Sequence, residues 1–371
     1  MKDVQAVESI YVTKPSMPPK EEYFAEVAGL WETGILTHSG EKHQLFEAML
    51  KEFTGAECIS LFSNGHQGLE AIFNTLEPGG EVITTPFTFA STTNAIVRAG
   101  LKPVFCDIRP SDYTIEPEIV ETLVNERTVA IAPVHVYGNV CDVDALQSLA
   151  NAHGLKVFYD AAHAFGERYH GKSVALYGDA SMFSFHATKV MNTGEGGAVA
   201  CGDANFKRKI DAWKYYGFES SGSDIAAPGT NAKMTEFAAA MGICNMRHFE
   251  EELAKRRHVF ERYRDNLLGC SAVRFCAEQE GVESNHAYLP VCIESRDSVI
   301  EHMEGDGIFP RKYFYPLTSE YSCFAGWGFD PAETPVSLDV SRKVMTLPMY
   351  ASLTDGQVDR VCRSLIDALN R

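Results

Sequence analysis

The residue with the most chemistry to offer in this chain is Lys189. It lies in Asp179-Ala-Ser-Met-Phe-Ser-Phe-His-Ala-Thr-Lys-Val-Met-Asn-Thr-Gly-Glu-Gly-Gly197, after a short apolar run (181–185) and before three glycines, with the hydroxyls of Ser184 and Thr188 beside it. An ammonium among apolar and small polar residues loses hydration, which favours the neutral amine, the form that attacks a carbonyl to make a Schiff base. A solvated lysine in a glycine-rich turn would give the same window. Upstream, Val157-Phe-Tyr-Asp-Ala-Ala-His-Ala-Phe-Gly166 sets Asp160 among apolar side chains. Such a carboxylate needs a cationic partner. A pyridinium nitrogen suits it, because the carboxylate keeps that nitrogen protonated and the ring then takes up electrons released when a Cα–H bond breaks. The competing reading is an aspartate that caps the next helix.

The elements that must position these groups follow from periodicity and punctuation. The pattern predicts a helix over 41–54, with Leu45, Phe46, Met49, Leu50 and Phe53 on one face, and a short strand over 58–62. Ser63-Asn-Gly-His-Gln-Gly68 then opens a helix. Strand, glycine turn and helix N-terminus together make an anion site, although this one lacks the Lys-Ser/Thr ending of a Walker loop. From residue 81 onward strands (81–85, 103–107, 129–136, 156–160) alternate with helices (ending at 99, then 115–124 and 142–153). Apolar strands separated by helices predict an α/β fold with a mostly parallel sheet covered on both faces, and functional groups gathered at the strand C-terminal ends. His135, Asp160 and Ser184 fall at or near such ends. Residues 1–40, broken by Lys14-Pro-Ser-Met-Pro-Pro19, read as an irregular arm with one short helix. Residues 41–246 read as a large domain and 247–371 as a smaller α+β domain, with strands near 287–293 and 343–347.

Composition sets bounds on the function. The 371 residues allow one large or two medium domains, and the 45% hydrophobic and 22% charged content is that of a globular protein. A net charge of −17 argues against a nucleic-acid partner. The first residues lack a secretory apolar core, and no run of about 18 apolar residues suggests a membrane span. The ten scattered cysteines include no CxxC pair, so free thiols and a cytoplasmic location are expected.

A strand-end aspartate, a lysine after the next strand and a glycine-rich turn fit a pyridoxal 5′-phosphate enzyme of fold type I. Thr85-Pro-Phe-Thr-Phe-Ala-Ser-Thr92, Pro133-Val-His-Val-Tyr-Gly138, Asp160-Ala-Ala-His-Ala-Phe-Gly166, Phe183-Ser-Phe-His-Ala-Thr-Lys189 and Gly229-Thr-Asn-Ala-Lys-Met-Thr-Glu236 together closely resemble the DegT-type nucleotide-sugar aminotransferases. The resemblance implies that Lys189 holds the cofactor and later moves a proton, that Asp160 pairs with the pyridinium nitrogen, and that Phe89 stacks on the ring. It implies that Ser184 and the backbone at Gly65 and His66 bind the phosphate, and that Lys233 reaches that phosphate from the partner subunit of a homodimer. His163 stands where the family often has Gln, next to the cofactor's phenolic oxygen, and a neutral His can donate the same bond. His66 replaces a Thr, and Lys233 replaces an Asn or Arg.

In one branch of the family, the C3 dehydratases, a histidine replaces the cofactor lysine, so the presence of Lys189 points to amino transfer. Val12-Thr-Lys-Pro-Ser-Met-Pro-Pro19, Trp31-Glu-Thr-Gly-Ile-Leu-Thr37, Phe183-Ser-Phe-His-Ala-Thr-Lys189 and Arg311-Lys-Tyr-Phe-Tyr-Pro316 are most similar to the dTDP-4-amino-4,6-dideoxyglucose transaminases. That similarity implies glutamate as donor, 2-oxoglutarate as co-product and a dTDP-linked 4-keto-6-deoxy sugar as acceptor, in the making of deoxyamino sugars for O-antigen or lipopolysaccharide. Tyr313, Tyr315 and His186 are the candidate substrate contacts; a buried aromatic turn (for the tyrosines) and a satisfied strand-end histidine are the competing readings. Transfer to C3, a GDP- or UDP-linked sugar, and a cofactor-binding regulatory protein without turnover are the alternatives.

Overall fold

The computed structural model describes residues 8–218, 224–225 and 227–371. The start of the arm and part of the 220–229 loop therefore lie outside the described residues. Seven strands form the central sheet: β1 (Cys58–Phe62), β2 (Glu81–Thr84), β3 (Lys102–Phe105), β4 (Thr128–Ile131), β5 (Lys156–Asp160), β6 (Ala180–Ser184) and β7 (Gly197–Cys201). Their spatial order is β1-β7-β6-β5-β4-β2-β3. The run from β6 to β3 is parallel, whereas β7 is antiparallel to both β1 and β6. Every residue of β1, β2 and β7 is buried, as a sheet covered on both faces requires.

The antiparallel β7 is absent from the sequence-based expectation. Ala198-Val-Ala-Cys is too short to show a period, and its pairing comes wholly from its two neighbours. Yet β7 builds the site. Gly197 pairs with Phe62 on one side and Ser184 on the other, so it joins the start of the Ser63–Gly65 turn to the end of β6. No side chain fits there: a Cβ on Gly197 would lie 2.6 Å from the Gly65 nitrogen. Two other elements are shorter than expected. The 129–136 strand stops at Ile131; Pro133 interrupts the ladder, which leaves a single bridge from Val134 to Asp160 and a tight turn at Val136–Gly138. The 115–124 helix starts only at Pro117, because Ile115 pairs with Ile108.

A second, antiparallel sheet joins Arg274–Phe275, Leu289–Cys292 and Val344–Leu347. Its core includes Val259, Tyr263, Met303, Val361 and Leu365 from three helices. The Phe249–Asn266 helix serves both cores, since Phe249 packs on Phe53 and Phe165 at the other end. The arm is held by its own chain. Ile10–Tyr11 pairs in parallel with Ile308–Phe309, and Val27 and Leu30 pack on Ala240. Among the described residues no helix is long and apolar enough to cross a membrane.

Candidate active site

A cavity of about 550 Å³ opens at the C-terminal ends of the parallel strands. It is lined by Gly65, His66, Phe89, Asp160, His163, Ser184, His186, Lys189 and Tyr313, nine residues singled out from sequence.

Asp160 ends β5 and is only 4% exposed. Its carboxylate accepts hydrogen bonds from Thr92 Oγ1 (2.7 Å) and the Ala162 N–H (3.1 Å). Both donors are neutral, so burial outweighs them and holds the carboxyl above its ordinary range. A buried carboxylate that faces a cavity with only neutral donors is primed for a cation arriving in that cavity. His163 sits one turn further on. Its Nδ1 accepts the Tyr137 N–H at 2.9 Å, and burial, reinforced by the Lys189 charge, pushes its pKa well below the usual imidazole value. The ring is therefore neutral with its proton on Nε2, a hydrogen-bond donor.

Gly65–Phe73 begins at the opposite end of the cavity. Asn64 caps it by accepting the Gln67 N–H at 2.9 Å. The N–H groups of Gly65 and His66 have no hydrogen-bond partner among the described residues and remain free for an anion at the positive end of the helix. Ser184 closes against this turn: a Cβ on Gly65 would fall 3.0 Å from Ser184 Cβ and 2.8 Å from Met182 Sδ. The His66 ring turns sideways. Its Nδ1 lies 2.8 Å from Ser91 Oγ and its Nε2 3.5 Å from Glu70, which also pairs with Arg98.

Lys189 forms part of the cavity wall between these two ends. It is half-buried rather than enclosed, because the cavity itself gives its amine access. Nζ donates to the Tyr288 hydroxyl at 3.1 Å. Phe89 stands just before the N-terminus of its helix and is 60% exposed, with a tilted contact to Phe314 (ring centroids 6.5 Å apart), so much of its ring is bare. His186 is exposed near Glu195 and bonds Thr188.

Two of the expected residues do not reach the cavity of their own chain. Lys233 bonds Asn231 and lies over the rings of Tyr215 and Tyr216, in an adjoining depression that shares Ser63 and Glu195 with the cavity. Tyr315 is turned outward, where its ring takes Arg296 (4.9 Å) and Lys312 (5.8 Å) as cation partners. Tyr313 lines the cavity and Tyr315 does not, although simple alternation along the chain would put both on one face. Conversely, Tyr288, Thr92 and Phe314 take part without having been expected. Tyr288 reads in sequence only as part of an apolar strand, and nothing local links it to Lys189, 99 positions away.

The match to a family model decides the family: residues 19–366 fit the DegT/DnrJ/EryC1/StrS aminotransferase family. The chain belongs to that family. It is 37% identical over 361 residues to a dTDP-4-amino-4,6-dideoxy-D-glucose transaminase of Shigella dysenteriae, covering 96% of this chain and 98% of the relative. A transaminase of the same name from Escherichia coli is 36% identical over 366 residues, with 96% and 98% covered. The solved structure of DesI in the presence of its TDP-sugar product superimposes with a TM-score of 0.92 at 32% identity, covering 97% of this chain and 93% of that one. One protein of this fold, from Streptococcus pneumoniae, is solved in both PLP and PMP forms, and pyridoxal 5′-phosphate is the cofactor of this family. The cavity fits that group at each end. A buried carboxylate with neutral donors suits the ring nitrogen, and a helix N-terminus with free N–H groups and no room for a Cβ suits the phosphate.

Proposed function

We propose that this protein transfers an amino group from glutamate to the 4-keto carbon of dTDP-4-keto-6-deoxyglucose, giving dTDP-4-amino-4,6-dideoxyglucose and 2-oxoglutarate. The observation that carries the reading is the convergence of Lys189, Asp160 and the free Gly65 helix end on one cavity, in a chain similar along its length to transaminases of that name. When bound, pyridoxal phosphate supplies an electron sink and a carrier for the amino group. The chain supplies the rest. Lys189 Nζ would hold the cofactor and, once released, take the proton from the donor's Cα in the first half-reaction and, in the reverse sense, deliver one to the sugar's C4 in the second. Asp160 would keep the ring nitrogen charged. His163 would donate from Nε2 to the phenolic oxygen. The bare face of Phe89 would cover the ring. Ser184 and the Gly65 and His66 N–H groups would bind the phosphate. Tyr313 and His186, at the wall and mouth, would meet the nucleotide-sugar.

The protein would work as a cytoplasmic homodimer in deoxyamino sugar biosynthesis of the O-antigen or lipopolysaccharide kind. Lys233 supports the dimer, since it lies outside its own cavity and would reach the phosphate of the partner's site. All ten cysteines are free thiols, which suits a reducing compartment.

The test is amine formation from glutamate with each of dTDP-4-keto-6-deoxyglucose, a 3-keto isomer, and GDP- and UDP-linked 4-keto sugars. The dTDP-4-keto sugar should react fastest. A faster reaction with another sugar would overturn the assigned substrate, and a cofactor absorbance that glutamate leaves unchanged would overturn amino transfer itself. Lys189→Ala should abolish both the covalent attachment and steady turnover.

A further inference from the structure

We propose that Tyr288 is a positioning residue for Lys189, its hydroxyl holding the Nζ group in line while that group moves the proton. The proposal rests on the role given to Lys189 above. Lysine has a flexible four-carbon stem, and once its bond to the cofactor opens the amine needs a fixed resting point close to the reacting carbon. Tyr288 Oη supplies one: it accepts a hydrogen bond from Nζ at 3.1 Å, and it is the one hydrogen-bond partner of that amine among the described residues.

The phenol is held in place from several directions. Tyr288 is 9% exposed, yet it lines the cavity. Its ring meets His163 at 4.6 Å, Tyr313 edge-on at 6.0 Å and Tyr137 at 6.1 Å, contacts that oppose swinging of the ring. Its backbone is fixed by a clamp three residues earlier. Asn285 Nδ2 donates to the carbonyls of His163 (2.9 Å) and Phe165 (3.0 Å), and the Asn285 N–H donates to the buried Glu167 carboxyl at 2.9 Å. The Ala287 N–H returns to Asn285 Oδ1 at 2.8 Å. The segment that brings Tyr288 is thus fastened to the same turn that carries Asp160 and His163, so the amine, the acidic partner and the imidazole share one rigid frame.

The choice of group also has a chemical consequence. A hydroxyl accepts a hydrogen bond from the ammonium without neutralising it. A carboxylate in its place would form a charge-assisted pair and hold the proton back. Tyr288 orients Nζ and leaves the transfer to Lys189.

The experiment uses the full-length protein with Tyr288→Phe, and a second variant with 3-fluorotyrosine at position 288, which keeps the shape and weakens the acceptor. Borohydride reduction with peptide mapping locates the attached lysine. Absorbance follows capture of pyridoxal phosphate by the apoprotein, and single-turnover reaction with glutamate gives the rate, the KM and the pH profile. Attachment should remain at Lys189. Capture and the maximal rate should each fall about tenfold in Tyr288→Phe, the effect of one hydrogen bond to a charged group. The KM for glutamate should stay within about twofold, and the pH profile should move in the same direction in both variants. A parental rate and pH profile in both variants, with Lys189 attached, would overturn the role of Tyr288 and leave the aminotransferase reading intact. Parent protein that captures the cofactor at some other lysine would overturn that reading instead.

Discussion

Asp160→Asn separates the chemical role of the carboxylate from its structural one. The substitution keeps the shape and removes the charge. In the parent, Oδ1 accepts the Ala162 N–H and Oδ2 accepts the Thr92 hydroxyl. An asparagine retains the first bond through its oxygen. Its amide can then donate to Thr92, whose hydroxyl is free to turn toward Thr88 Oγ1, 2.9 Å away. The fold therefore loses little, about 1 kcal/mol, and relief of a buried charge offsets part of that. Catalysis loses far more. A cation left opposite a neutral amide in a buried site forfeits about 3–5 kcal/mol, which at about 1.4 kcal/mol per factor of ten is a loss of about 10²- to 4 × 10³-fold in rate. The assay is the single-turnover reaction with glutamate, followed by absorbance, alongside a thermal melt of each protein. A rate within about threefold of the parent would refute the assigned role, as would a fall in melting temperature large enough to account for the lost activity by itself.

Three further outcomes follow from particular contacts. Gly65→Ala places a Cβ 2.8 Å from Met182 Sδ and 3.2 Å from Ser184 Cα; the strain, about 1–3 kcal/mol, should weaken cofactor affinity by about 10- to 100-fold in an absorbance titration, and unchanged affinity would count against a phosphate site at that turn. Burial pushes the Glu167 carboxyl from its ordinary 4.5 up to about 8, so between those values the native state binds the extra proton and stability falls as pH rises. Glu167→Gln removes that dependence, and the melting-temperature difference between variant and parent should shift in the variant's favour from pH 5 to pH 8; a difference that does not change with pH would contradict the protonated state. Finally, Lys233→Ala and Lys189→Ala chains co-expressed in equal amounts should recover about a quarter of parental activity, because a mixed dimer has one intact site, whereas no recovery would contradict sharing of the site across the interface.

Much of the site's chemistry is local and therefore legible in the residues alone. A strand-end aspartate among apolar residues, a lysine before a glycine turn, and Asn64-Gly65 opening a helix each carry their meaning within a few positions, because burial, backbone freedom and helix capping are short-range properties. The alternation of apolar runs with helical faces likewise specified a mostly parallel sheet. What stayed hidden depends on contacts between distant positions. β7 has no signature of its own and exists because β1 and β6 flank it, yet it brings Ser184 to the Gly65 turn. The neutral state and tautomer of His163 come from a bond to the Tyr137 backbone, 26 residues earlier. The outward turn of Tyr315 and the meeting of Tyr288 with Lys189 depend on how the second sheet docks against the first. The sequence by itself determined which groups could do the chemistry; only the tertiary structure decided which of them face the same cavity, because side-chain direction and long-range pairing are fixed by packing and not by neighbours along the chain.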